Sequence, residues 1–322
     1  MSNGTTYSII VPLYNEELVV NESYRRLKAV MDSTKETYEV IFINDGSKDA
    51  TRKLAEDICK NDENIKLINF SRNFGHQAAI TAGMEFSKGA AVIVIDADLQ
   101  DPPETILDMI AKWKEGFQVV YGKRSKREGE TKFKKLTSSM YYRLLKSMTS
   151  IEIPVDTGDF RLIDRRVCDA LNALPEKNRY VRGLVSWVGY KQTSVEFVRQ
   201  ERYAGETKYP LKKMLKLAFD GITAFSFKPL VLSAYLGGSM LAVGFISLIT
   251  VIIKNIVDGL SVLSLGVVLS ANLIMFGMIL CSLGIMGQYL GRIFDESKDR
   301  PNYIIESISY YKTADQKHEL IG

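Results

Sequence analysis

Three carboxylates fall within six positions of one another in the stretch VIDADLQDPPE: Asp96, Asp98 and Asp101. On extended backbone, side chains alternate with period two, so Asp96 and Asp98 point the same way. Two such carboxylates repel each other unless a cation lies between them. Hard divalent cations take carboxylate oxygens, and magnesium typically uses one or two of them and completes its shell with substrate phosphates. The pair therefore reads as the protein half of a metal–diphosphate site. Asp101, beside Pro102 and Pro103, reads instead as the cap of a following helix. Other phosphate-binding devices are missing: no G-x-G-x-x-G follows the first strand, and no G-x-x-x-x-G-K-[ST] occurs anywhere. Two histidines and three scattered cysteines (Cys59, Cys168, Cys281) disfavour zinc and disulfides.

The elements that must carry these residues are legible as apolar runs at 7–12, 38–44, 65–70, 90–95 and 117–122. Helical patterns lie between them at about 17–33, 49–60, 75–87 and 103–115. This alternation predicts βαβ units and a mostly parallel sheet. Ligands of such sheets bind beyond the carboxyl ends of the strands. Pro12, Tyr14 and Glu16 follow the first run, Asp45 the second, and Asp96 and Asp98 the fourth. One edge collects them all.

The 322 residues carry a net charge of only +4, which offers no signature for a polyanion such as nucleic acid. The average hides two stretches without charge, Pro229–Ile253 and Gly259–Gly291. The first would span roughly 37 Å as a helix, enough for a hydrocarbon core of about 30 Å. Lysines cluster before the pair (Lys208, Lys212, Lys213, Lys216, Lys228), and Arg292, Lys298 and Arg300 follow it, whereas the connection offers only Lys254. The positive-inside rule then predicts a two-helix hairpin with both termini cytoplasmic. The N-terminus lacks a basic region followed by an apolar core, so no signal peptide is expected. Segment 210–228 has an amphipathic pattern that reads as a helix in the headgroup region. The expected organisation is a catalytic domain over 1–209, this juxtamembrane helix, membrane helices at 229–254 and 259–291, and a cytosolic tail over 292–322.

SIIVPLYNEE, INDGSKDAT, SRNFGHQAAITAGMEFSKG and VIVIDADLQDPPE, in this order, resemble family-2 glycosyltransferases with the GT-A fold (Rossmann-like, α/β). DTGDFRLIDRRV, RYAGETKYP and the hairpin narrow the resemblance to polyisoprenyl-phosphate glycosyltransferases, akin to dolichyl-phosphate mannose synthase and the bacterial undecaprenyl-phosphate sugar transferases. The resemblance implies inverting transfer of a sugar, glucose or N-acetylglucosamine, from a UDP-sugar to a polyisoprenyl phosphate at the cytosolic membrane face, with Mg2+ or Mn2+ as cofactor. It implies that Pro12, Tyr14, Glu16 and Asp45 line the nucleoside pocket. Asp96 and Asp98 would hold the metal and Gln100 would close the site. Arg124, Arg202 and Lys208 would meet phosphate, and Asp159 with Arg161 would stand near the acceptor. Asp159 and Asp98 are the candidate catalytic residues. A phosphate monoester has its second pKa near about 6, so the acceptor hardly needs a base and the role of Asp159 stays open between base and positioning. His76, at a helix start, reads as structural.

Competing readings are a processive polysaccharide synthase, whose Q-x-x-R-W segment is missing here, and a non-catalytic membrane adaptor, which would have no use for the paired acids. Two spanning helices are too few for a flippase unless several chains associate into a homo-oligomer.

Overall fold

The structure, a computed structural model, describes residues 4–126, 157–200, 228–258 and 265–311. Apolar β-branched runs form β1 (Tyr7–Leu13), β2 (Tyr38–Asn44), β3 (Ile65–Phe70), β4 (Ala91–Val94) and β5 (Val119–Lys126). Between them lie α1 (Val20–Thr34), α2 (Thr51–Asn61), α3 (His76–Phe86) and α4 (Thr105–Lys114). The chain continues through β6 (Thr157–Asp164), α5 (Arg165–Asn172), α6 (Val181–Trp187), β7 (Gln192–Val198), α7 (Lys228–Asp258), α8 (Leu265–Ser297) and β8 (Ile305–Tyr310).

All eight strands join one sheet in the order β7-β5-β6-β4-β1-β2-β3-β8. It is mostly parallel but mixed. Strand β6 runs antiparallel to both β4 and β5, and β8 runs antiparallel to β3. Alternation along the strands fills two cores. On one face Ile9, Val11 and Leu13 meet α1, α2 and α4; on the other Ile10 meets α3, with α5 and α6 alongside. Successive crossovers change face where β1 stands between β2 and β4, the switch point at which open α/β sheets bind ligands. Helix α3 lies unusually close to β1, because a Cβ on Gly83 would come within 2.2 Å of Ile10 Cγ2.

The long helices differ in kind from the rest. Ile274–Ser297 is the one stretch among the described residues long and apolar enough to cross a membrane, and none of it is buried within the protein. Helix α7 carries a shorter apolar stretch, Ser233–Ser247, and packs against α8. Beyond α8, within the segment expected to be a tail, β8 returns to the edge of the sheet.

Candidate active site

Strands β1, β2 and β4 deliver their carboxyl ends to one edge, as the alternation of runs predicts. The loops after β1 and β2 are laced together: Asn15 N–H donates to Ser47 Oγ (3.0 Å), Lys48 N–H to Asn15 Oδ1 (2.9 Å), and Glu16 N–H to Thr51 Oγ1 (2.7 Å). Asn15 sits at φ 51°, a left-handed conformation that asparagine tolerates. This lacing places partly exposed Pro12, Tyr14 and Glu16 beside the end of β2. Asp45 is buried, and its two oxygens accept from the N–H groups of Phe74 (2.6 Å) and Gly75 (3.0 Å). Burial pushes its carboxyl up while these donors pull it down. Asp45 thus holds the loop that launches α3, a task its sequence context did not reveal.

The chain leaves β4 with one more sheet bond, Ile95 N–H to Ile10 O at 3.1 Å, and then enters the acidic turn. Gln100 N–H donates to Asp98 Oδ1 (3.1 Å) across Leu99, a buried leucine held at φ 59°. A bulky side chain at positive φ is strained, a feature that concentrates at functional turns. Gln100 is tied to the exit of β7, its side-chain oxygen accepting from Arg199 Nη2 (2.8 Å) and its carbonyl from Gln200 N–H (2.9 Å).

Asp101 does not cap the next helix. Helix α4 starts at Thr105 with Glu104 in the cap position, and the N–H groups of Thr105 and Ile106 pair with the carbonyls of Pro102 and Pro103. Asp101 is instead buried, facing Arg124 Nη2 at 3.6 Å and Arg199 Nε at 3.9 Å. Burial pushes its carboxyl up to about 6 against the pull of Arg124.

The reversal of β6 brings the fourth acid to this edge. Val94 pairs with Arg161 in antiparallel register, so Asp159, two residues earlier on β6, comes level with Asp96, two residues beyond Val94. Asp159 is buried and receives a bidentate pair from Arg182, Nε to Oδ1 at 2.8 Å and Nη2 to Oδ2 at 3.1 Å. His76 stands between the acids, its Nε2 lying 3.2 Å from Asp159 Oδ2 and 3.5 Å from Asp96 Oδ1. Desolvation opposes a charge on His76, but Asp96 and then Asp159 outweigh it and hold the ring up at about 9. Burial likewise works against ionised Asp159, yet Arg182 and His76 keep it well below the usual carboxylate range. Asp96 moves the other way, raised first by burial and then by Asp98 and Asp159. Arg161 is buried with its guanidinium on the carbonyls of Gly158 (2.8 Å) and Asp159 (3.3 Å), so it braces β6 and leaves little of itself to the cleft.

The edge therefore unites Pro12, Tyr14, Glu16, Asp45, Asp96, Asp98, Gln100 and Asp159, with Arg124 alongside on β5. Arg202, Lys208 and the juxtamembrane segment as far as 227 lie outside the described residues. His76, Gln77, Arg182 and Arg199 join the constellation without having been singled out for it. The placement of His76 directly after the third strand, on the same edge, was the available signal.

The mostly parallel α/β sheet thus presents Asp96 and Asp98 at its switch point. Residues 8–171 match the family described as Glycosyl transferase family 2, and the chain belongs to it. It is 58% identical over 306 residues to the uncharacterized glycosyltransferase YkcC of Bacillus subtilis, covering 95% of each chain. It is 38% identical over 301 residues to the prophage bactoprenol glucosyl transferase homolog of Escherichia coli, covering 94% of this chain and 98% of that protein. It is also 38% identical over 300 residues to the bactoprenol glucosyl transferase of Shigella phage SfV, covering 93% and 98%. This chain is a glycosyltransferase.

Proposed function

We propose that the chain transfers glucose or N-acetylglucosamine from a UDP-sugar to a polyisoprenyl phosphate, undecaprenyl phosphate in bacteria, at the cytosolic face of the cell membrane. The observation that carries this reading is one cleft edge holding Asp96 and Asp98 opposite Asp159, on a chain that also carries a membrane-length apolar helix. The similarity to bactoprenol glucosyl transferases over nearly the whole chain supports a lipid carrier as acceptor. The apolar parts of α7 and α8 would lie in the membrane, with the charged end of α8 and both termini cytoplasmic.

The donor set suits Mg2+ or Mn2+. Asp96 and Asp98 offer only hard oxygen donors, and no cluster of three or more His, Cys, Asp or Glu side chains suited to a metal occurs among the described residues. A cation held there would draw its remaining ligands from the diphosphate. Burial is the main reason the Asp96 carboxyl is raised, with Asp98 and Asp159 adding to it against the pull of His76, and a cation held there would favour the ionised form. Asp96 and Asp98 would hold such a cation, which would supply charge neutralisation for a departing diphosphate.

The rest of the chemistry falls to the chain. Pro12, Tyr14, Glu16 and the Asp45 loop would receive the nucleoside, and Arg124, Arg199, Arg202 and Lys208 would offer cations to the phosphates. Asp159, held well below the usual range by Arg182 and His76, is a poor proton acceptor at neutral pH. An acceptor phosphate needs none, because its second pKa near about 6 leaves it largely a dianion. Asp159 would therefore orient the acceptor side of the cleft while that dianion attacks the anomeric carbon in line.

Membranes containing the protein, supplied with polyprenyl phosphate and radiolabelled UDP-glucose or UDP-N-acetylglucosamine, should pass one label into lipid. Asp98→Asn and excess chelator should each abolish that transfer while thermal unfolding stays unchanged. Label that stays out of lipid with every donor would sink the acceptor assignment, and label entering a long polymer would favour the processive reading. Undiminished turnover in excess chelator would remove the metal.

A further inference from the structure

A second route reaches the cleft, and it starts from the membrane helix. Near the C-terminal end of α8, the Glu296 carboxylate accepts from the backbone N–H of Lys177 with both oxygens (2.9 and 3.1 Å) and from that of Asn178 (3.3 Å). Hydrogen bonds to an ionised acceptor are roughly twice as strong as neutral ones. Lys177 Nζ adds an ion pair to Asp299 at 2.7 Å, although Asp299 is almost fully exposed.

The segment gripped by Glu296 joins α5 to α6. Each of its next residues is engaged. Arg179 Nη2 donates to the carbonyls of Leu171 and Leu174 at the end of α5. Val181 N–H donates to Gln77 Oε1 at 3.0 Å. The following residue is Arg182, whose fork grips Asp159. Residues Val181, Leu184 and Val185 bury the inner face of α6, so this helix can shift only as a unit. Rigid elements joined by hydrogen bonds are the means by which coupling travels between sites. The nucleotide side of the cleft meets this route at the start of α3, through His76 and Gln77.

We infer that Glu296 is a positioning residue for the acceptor side of the cleft. By docking the end of the membrane helix on residues 177–178, it sets the start of α6 and hence the guanidinium that aims Asp159. This rests on the reading of Asp159 given above. Turnover is then tied to α8 being seated against the catalytic domain, and a catalytic domain displaced from its membrane helix aims Asp159 poorly.

The test uses the full-length protein in lipid nanodiscs. Glu296→Ala should lower kcat roughly tenfold, with the KM for nucleotide sugar unchanged. Glu296→Gln keeps an acceptor oxygen for the two N–H groups and should recover most of the loss. Lys177→Ala keeps the backbone N–H and should stay near wild type. In an Arg182→Lys background, which keeps the charge and loses the fork, Glu296→Ala should cost little more. Should Glu296→Ala fail to fold, Glu296→Asp, whose carboxylate is one methylene short of the two N–H groups, takes its place: it should lower kcat with the KM for nucleotide sugar unchanged, and wild-type turnover in it overturns the inference. Wild-type turnover in Glu296→Ala, alongside an inactive Asp159→Asn, overturns the inference alone. Multiplying losses in the double variant, or a loss in Lys177→Ala equal to that in Glu296→Ala, also overturns it. Near-normal turnover in Asp159→Asn would instead remove the reading of Asp159 beneath it.

Discussion

At the scale of single residues, the position of Asp96 and Asp98 beyond the fourth strand was legible, although β4 ends at Val94 and Asp98 falls in a turn rather than on extended backbone. His76 and Arg182 were not, because their partner Asp159 lies 83 and 23 positions away and only the sheet register brings them together. Asp101 shows how a local rule misleads: next to two prolines it resembles a cap, yet it is packed beneath Arg124 and Arg199. Its burial has a measurable sign. The folded-state pKa of about 6 stands above the ordinary 3.8, so the folded state takes up the proton first as pH falls. Above pH 6 the buried carboxylate costs stability, and that cost is relieved as pH drops from about 6 toward 4. Each tenfold difference in proton affinity between the folded and unfolded chain is worth about 1.4 kcal/mol. Wild type should therefore gain thermal stability relative to Asp101→Asn on going from pH 7.5 to pH 5. A constant gap between the two melting temperatures would show that the arginines compensate the charge in full.

At the scale of elements, the position of α3 sets where His76 stands, and the contact of Gly83 with Ile10 sets α3. Ile10 is fully buried, so a methyl group 2.2 Å from its Cγ2 has no room to be absorbed. Gly83→Ala should destabilise by about 1–3 kcal/mol, the usual cost of overpacking, and should lower activity by shifting the start of α3. Combining it with Ile10→Ala should cost less than the two separate losses together, since the second change vacates the volume the first requires. Strict additivity would mean that α3 does not bear on β1 there. The first five strands and four helices were readable because uninterrupted β-branched runs alternate with helical spacing. Strands β6, β7 and β8 carried no such signal. In TGDFRLID a buried acid and a buried arginine break the apolar run, and in QTSVEFV only Phe197 is buried. In IESISY the alternation is short and lies beyond a membrane-length helix.

At the scale of the whole molecule, that last strand changes what counts as the catalytic domain. Strand β8 pairs with β3 from Lys66↔Tyr310 to Phe70↔Ile305, supplying the partner that β3 would otherwise lack. Side chains fasten it: Tyr303 stacks on Phe70 at 4.9 Å, Arg52 meets Glu306 at 3.0 Å, and Asn69 Nδ2 donates to Ser307 Oγ at 3.1 Å. The sheet is thus completed by chain that comes after α8, so the long apolar helices are interleaved in sequence with the α/β sheet. A boundary at 209 would leave β3 as a bare sheet edge, and an unpaired edge is a template for pairing with other chains. A fragment of residues 1–209 should accordingly self-associate in size-exclusion chromatography. A peptide of residues 301–311, added in trans or fused behind a flexible linker, should restore a monomeric peak and raise the melting temperature, because strand addition returns the missing main-chain bonds. A scrambled peptide of the same composition should do neither. A monomeric 1–209 fragment whose melting temperature ignores the peptide would show that β8 adds nothing the sheet requires, and would return 292–322 to the status of a tail.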